Sequence, residues 1–383
     1  MPIFDQGYQH WSGTLSGYAW RWLTITRHGV RVGMKNPFLR ILILVSWLPA
    51  VGLAFMLSMW GLLENKSPLI APLRPFLSSF FSREMLADPQ NFRVAAWTLC
   101  FHRFLEIELY FSMIMILLVG PSLISQDLRF NALPLYFSRP LRRFDYFAGK
   151  LGVVAWFLGM VVMVPSLIAY VLGLLFSLDI TILRDTFPVL LACLAYGAVI
   201  VLSAGTLMLA LSSLSRNSRY IALFWVAVWF VTAMVGGILN QVDIQHRRIK
   251  MHEKLTRVLP VQQPAARPLT PEEELARQRA MHELSLKAHE EAQAEEIRAA
   301  QTNWRPLVSY TANLSRVGQM LLNTDSIWRE LSRFEPLQNQ EDYLQRNLGP
   351  QFPWYWSAGV LTVLFGLSAC ILNYRVRSLD RLK

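Results

Sequence analysis

Residues Leu151–Leu178 read LGVVAWFLGMVVMVPSLIAYVLGLLFSL, with no Asp, Glu, Lys or Arg among them. An α-helix rises about 1.5 Å per residue and a bilayer's hydrocarbon core is about 30 Å thick, so about 20 apolar residues cross it. This stretch therefore reads as a membrane-spanning helix. Moving outward from it, five further runs have the same character: Ile41–Leu63, Leu109–Ser125, Phe187–Leu214, Tyr220–Leu239 and Trp354–Tyr374. The second is the shortest. It is expected to extend back through Glu106 and Glu108, which would then sit at the interface, either capping a helix N-terminus or forming a gate. Pro49, Pro121 and Pro165 lie inside runs and predict bends, because each removes a backbone donor.

Composition agrees. Hydrophobic residues make up 53% of the 383 and charged residues 16%, against about 25% charged in soluble domains. Mean hydropathy is +0.31. The net charge of +11 would suggest nucleic acid in a soluble protein. Here the basic residues gather beside the apolar runs, which points to the membrane surface and excludes a nucleic-acid partner. Cys100, Cys193 and Cys370 are too far apart in sequence for a CxxC site, and two of them lie within apolar runs, so no disulfide framework is expected. The first apolar run begins too late for a cleavable signal peptide.

Orientation follows from Lys and Arg near the span ends. The N-terminal segment, the second-to-third and fourth-to-fifth loops and the C-terminal tail hold sixteen basic residues and four acids, Asp5, Asp127, Asp145 and Asp380. With six spans these four segments share one side, so both termini are expected in the cytoplasm of a bacterial inner (plasma) membrane. The chain divides into an N-terminal segment 1–40, five spans over 41–239 with a loop at 126–150, an extracytoplasmic segment 240–353, and a sixth span with its tail over 354–383.

The external segment opens on His246, Arg247, Arg248 and Lys250 and passes a proline-rich linker, 260–271. Thr270-Pro271 followed by Glu273 is a helix start, an N-cap with a first-turn proline and a capping acid. A charged helix is expected from there to about Asn303. Leu275, Leu286 and Ile297 form a thin stripe on it, which suits either a solvated helix or a stalk packing on a partner. At the other end of the chain, a helix over 14–34 would place Leu15, Tyr18, Ala19, Trp22, Thr26, Gly29, Val30 and Gly33 on one face. Arg21, Arg27, His28, Arg31 and Lys35 fall opposite. This is the pattern of an interfacial amphipathic helix with Trp22 at headgroup depth and Arg27, Arg31 and Lys35 on the wet side.

Catalytic signatures are missing. No GxxxxGK[ST] phosphate loop occurs, so no ATP site and no catalytic residue is expected on this chain. His282-Glu283 and His289-Glu290 lack the second histidine of a zinc-protease motif, and no metal site is expected.

The loop 120–150 reads GPSLISQDLRFNALPLYFSRPLRRFDYFAGK. Its aromatics, leucines and five basic residues suit a short helix at the membrane surface, half in lipid and half against a protein, or a plain positive-inside anchor. The stretch resembles the loop of type-2 ABC exporter permeases. There, an acidic-basic start after the second span leads to a Ser-x-Pro-x-x-Arg element and then to Gly-Lys at the head of the third span. Gln126-Asp127, then Ser138, Pro140 and Arg143, then Gly149-Lys150 match in turn. Two features depart from the family pattern: Gln126 stands where Glu is commoner, and the external segment is longer than the family's short re-entrant helices. The resemblance implies an all-α, six-span permease subunit whose loop docks on an ABC ATPase. The docking residues would be Gln126, Asp127, Arg129, Phe130, Ser138, Arg139, Pro140, Arg142, Arg143, Gly149 and Lys150. It further implies ATP and Mg bound by that partner, and a second permease copy or a paralogue. The N-terminal helix would be the family's connecting helix on the cytoplasmic leaflet, in contact with membrane lipid. The rival expectation is a membrane scaffold or force-transmitting subunit, which the large external segment favours.

Overall fold

A computed structural model describes residues 20–133, 136, 142–177, 181–258, 279, 283, 298, 302–334 and 352–379. Secondary structure among them is entirely helical. Six helices are long and apolar enough to cross a membrane: Pro37–Glu64, Arg93–Arg129, Arg143–Ser177, Thr181–Leu214, Ser218–Arg247 and Trp354–Arg375. All six expected spans are present. The second span lies at the centre, with 61% of its apolar window buried, whereas the fifth is the most outward-facing at 17%.

Two boundaries differ from expectation. The second span extends back through Glu108 and Glu106 as expected but begins earlier still, at Arg93. Its early turns bury Trp97, Phe101, Phe104 and Leu105 together with Arg93 and His102, and leave Arg103 exposed, so the helix is enclosed although its mean hydropathy is low there. Glu106 and Glu108 consequently sit inside a helix and cap no N-terminus. The fifth helix does not stop near Leu239. It runs on from Thr232 to Val258, so the polar segment after Asn240 opens as a rigid extension of the span.

Most helix breaks have a local cause. Asn36 caps the first span by accepting from the Phe38 amide at 3.0 Å, and Pro37 fills the first position. That span breaks at Trp47, two residues before Pro49. At the same depth the third span contains a π-helical turn, Gly159–Met163, just before Pro165. The Trp47 indole Nε1 donates to the Met160 carbonyl at 2.9 Å, joining the two discontinuities. Above this level the helices run close together. A Cβ on Gly61 would come within 2.7 Å of Ser177 Oγ and 3.1 Å of the Phe176 backbone. The glycine is what permits the approach.

In the second span the break falls at Gly120-Pro121. The first amides of a new helix lack internal partners. Ser212 of the fourth span supplies one: its Oγ accepts from the Ile124 and Ser125 amides, both at 3.1 Å, and donates to the Pro121 carbonyl at 3.0 Å. One hydroxyl thus uses its donor and both lone pairs.

Two short helices precede the sixth span, Tyr310–Leu322 and Thr324–Ser332. Ser309 caps the first through the Ala312 amide, and Asn323 at φ 55° ends it. The first packs against the second, fourth and sixth spans. Tyr310 ties it to π-helical turns in two spans. Its hydroxyl pairs with Ser203 of the turn Val201–Gly205 at 2.9 Å, and its amide donates to Thr232, which follows the turn Ala227–Val231. The expected helix from Thr270 towards Asn303 lies almost wholly outside the described residues. The ends of that segment are joined, since Asn303 donates to Asn240 at 2.8 Å and Asp243 bridges Arg247 and Arg305.

Candidate coupling site

The loop expected to dock on a partner begins in the second span's last turns and ends in the third span's first turns. Its two ends meet. Asp127 Oδ2 accepts from Lys150 Nζ and from the Tyr146 hydroxyl, each at 2.7 Å. Tyr146 is fully buried and Lys150 nearly so. The ammonium also lies 5.5 Å from the Tyr146 ring centroid, and Tyr136 packs on that ring. Burial, with the Asp127 carboxylate beside it, holds the Tyr136 phenol above its ordinary pKa. The third span starts at Arg143, where the Asp145 carboxylate accepts from the Arg142 amide at 3.3 Å and closes the first turn.

Around this closed base the side chains divide. Gln126, Arg129, Phe130 and Arg142 are exposed, and Arg143 is half-buried. Phe130 is 73% exposed with the Arg129 guanidinium 5.7 Å from its ring. Phe144, which the sequence did not single out, is 76% exposed. Asp127, Gly149 and Lys150 turn inward and brace the loop; mutual charge neutralisation is the reason Asp127 and Lys150 can be enclosed. Ser138, Arg139 and Pro140 lie outside the described residues.

The helix Arg21–Gly33 packs beside this base. Thr26 donates to the Gly149 carbonyl at 3.0 Å, and Gly149 and Gly152 let the backbone come close, since a Cβ on Gly149 would lie 2.7 Å from Ile25 Cβ. The face bearing Thr26, Gly29 and Gly33 therefore meets the third span, while Arg27, Arg31 and Lys35 are exposed and Trp22 is half-buried. Leu15, Tyr18 and Ala19 of the expected apolar face lie outside the described residues, and protein covers its Thr26, Gly29 and Gly33.

The opposite end of the bundle has its own charge cluster, which hydropathy alone could not reveal. Arg93 opens the second span, is 7% exposed, and pairs with Glu64 at 2.9 Å and Asp185 at 3.1 Å. The Trp60 indole adds a bond to Glu64 at 2.7 Å. Spans one, two and four are thereby fastened at one point. Arg316 does the same for the short helices, bonding Asp325 and Gln319 and donating to the Phe352 carbonyl at 2.8 Å. Arg316 also lines a cavity of about 630 Å³ with Glu106, Tyr110 and Asn240, between the second span, the fifth helix and the short helix. Glu106 and Arg316 are the charged groups on its otherwise largely apolar wall.

Six apolar helices around a central second one, with a braced basic loop at one end, define the class as a multi-pass membrane protein. The model of the ABC-2 family of transporter proteins matches residues 23–323, most of the chain, and the protein belongs to that family. No curated protein matches it. Members of the family are membrane components of ABC transporters that work with an ABC ATPase subunit and are generally not catalytic themselves. Among the described residues no group of three or more His, Cys, Asp and Glu side chains is placed to hold a metal ion.

Proposed function

We propose that the chain is the permease half of an ABC exporter, moving a substrate when a separate ATPase subunit binds and hydrolyses ATP. ATP and Mg would reside on that subunit, and this chain binds neither. The observation that carries the reading is the Asp127–Tyr146–Lys150 base. It ties the last turn of the second span to the first turns of the third, so a force on Phe130, Phe144, Arg129 and Arg142 would pass into both helices. The loop and both termini face the cytoplasm of the inner membrane, as the distribution of Lys and Arg supports. The exposed arginines of the N-terminal helix lie at the lipid headgroups beside it. Two ATP sites need two loops of this kind, so the working unit holds a second copy or a paralogue. The cavity between Glu106 and Arg316 is the candidate substrate path.

Docking in a protein groove needs the planar, multi-donor guanidinium, whereas lipid anchoring needs only charge. Arg142→Lys with Arg143→Lys, and separately Pro140→Ala, are therefore expected to leave expression and insertion intact and to reduce co-purification of the ATPase. Unchanged co-purification and transport in both variants would make the loop an anchor. A second reading, a force-transmitting scaffold, draws on the helical extension from Leu239 to Val258, which could carry motion outward. Substrate flux in vesicles containing both subunits separates the two, since a scaffold moves none.

A further inference from the structure

The coupling scheme makes no use of Glu108. Its side chain in the second span is 0% exposed, and neither carboxyl oxygen has a hydrogen-bond partner. Ser112, four residues on, is also 0% exposed with an unpartnered hydroxyl. Residues four apart share a helix face, so two unsatisfied polar groups look into one interior seam. At about 1.5 Å per residue, Glu108 lies roughly 8 Å deeper along the helix than the exposed Arg103.

No cation among the described residues answers it. Arg103 bonds Glu106 on the outer face, and His102 lies 3.4 Å from the same carboxylate. Arg93 pairs with Glu64 and Asp185, and Arg316 pairs with Asp325. On the helices packed against this part of the span, Cys193 and Tyr196 of the fourth, Tyr170 of the third and Tyr310 of the short helix are a thiol and phenols, uncharged at neutral pH, and the short helix's Arg316 is held by Asp325. The single hydroxyl proton of Ser166 in the third span is shared between the Val162 and Met163 carbonyls. A carboxylate buried without partner or counter-charge is prohibitively costly, and such a group neutralises instead. A metal cation fits poorly, because the seam offers at most three oxygens where calcium takes six to eight.

We propose that Glu108, with Ser112, is an intramembrane proton-binding site. The acid carries a proton while the bundle is closed around it, as here, and releases it when the helices part and water arrives. Proton occupancy then favours one conformation over the other, so the proton acts as a ligand of the closed state. The conformational clause rests on the permease reading; the binding site does not.

The test is an infrared difference spectrum of purified full-length protein at neutral pH, wild type minus Glu108→Gln. The amide mimics a neutral acid, so the variant is expected to fold with unchanged thermal stability. The difference should contain the carbonyl band of a protonated carboxyl, and Ser112→Ala should move that band because its hydroxyl is the neighbouring hydrogen-bonding group. A carboxylate band in its place overturns the proposal. So does a protonated-acid band that disappears on adding sodium or magnesium, which would make the seam a cation site. A band unmoved by Ser112→Ala removes the serine and overturns the paired site. These measurements need no ATPase and no substrate. Failure here leaves the permease reading standing, and failure of ATPase co-purification leaves this site standing.

Discussion

Buried ion pairs in this protein sit where they fasten several helices together. Taking one partner from such a pair leaves the other uncompensated and costs about 3–5 kcal/mol, more than the pair contributes relative to an apolar substitute. Arg93→Met should destabilise by an amount in that range, because it removes the buried guanidinium that pairs with Glu64 at 2.9 Å. Adding Glu64→Gln to it should recover part of the loss. Thermal unfolding of wild type, both single variants and the double variant in detergent gives the coupling energy. A double variant no better than Arg93→Met alone would show that Asp185, not Glu64, is the partner that matters. Lys150→Met should cost about 3 kcal/mol by the same reasoning and also weaken ATPase binding, since the loop loses its brace. Tyr146→Phe, which removes one hydrogen bond to a charged group, should cost about 1.5–3 kcal/mol and act in the same direction.

At the scale of helices, the breaks are where single side chains carry disproportionate weight. Ser212→Ala removes the shared partner of the Ile124 and Ser125 amides at the Gly120-Pro121 break. A loss of about 1–3 kcal/mol in thermal stability is expected. Faster amide exchange should be confined to the helix Pro121–Arg129, and exchange unchanged there would show that another group satisfies those amides. The existence of the spans was legible because a run of about 20 apolar residues is long enough to cross a bilayer and too apolar to rest in water. Their ends were not. Arg93, Arg103 and Glu106 lower the apparent hydropathy of the second helix, yet its buried face is packed with aromatics, and the tertiary pairing of Arg93 with Glu64 and Asp185 makes the start at Arg93 tolerable. The short helices Tyr310–Leu322 and Thr324–Ser332 were illegible for a related reason. They are brief and of mixed composition, and they are held by contacts to residues far away in sequence. Asp127 and Lys150 were legible as the ends of a motif, but nothing in their spacing showed that they touch.

For the whole molecule, the distribution of charge makes a topological prediction. Cysteines introduced at Arg142 and at either terminus should be protected from an impermeant reagent in intact cells, and one at Glu290 should react. Labelling at 142 with protection at 290 would invert the orientation. Purified alone, the chain should not hydrolyse ATP. Robust hydrolysis without a second polypeptide would contradict its place as a permease subunit.

The Trp47–Met160 bond sets where this assembly can flex. Bending a regular helix at an arbitrary point breaks successive rungs of its ladder. The first and third spans are already interrupted at one depth, and a single indole-to-carbonyl bond joins the interruptions. Pivoting there disturbs that one bond and spares the rungs on either side. The paired helices are built as a jointed strut with one articulation, and on the proposed coupling a push at the basic loop is expected to arrive at the far end as a tilt rather than as local unwinding.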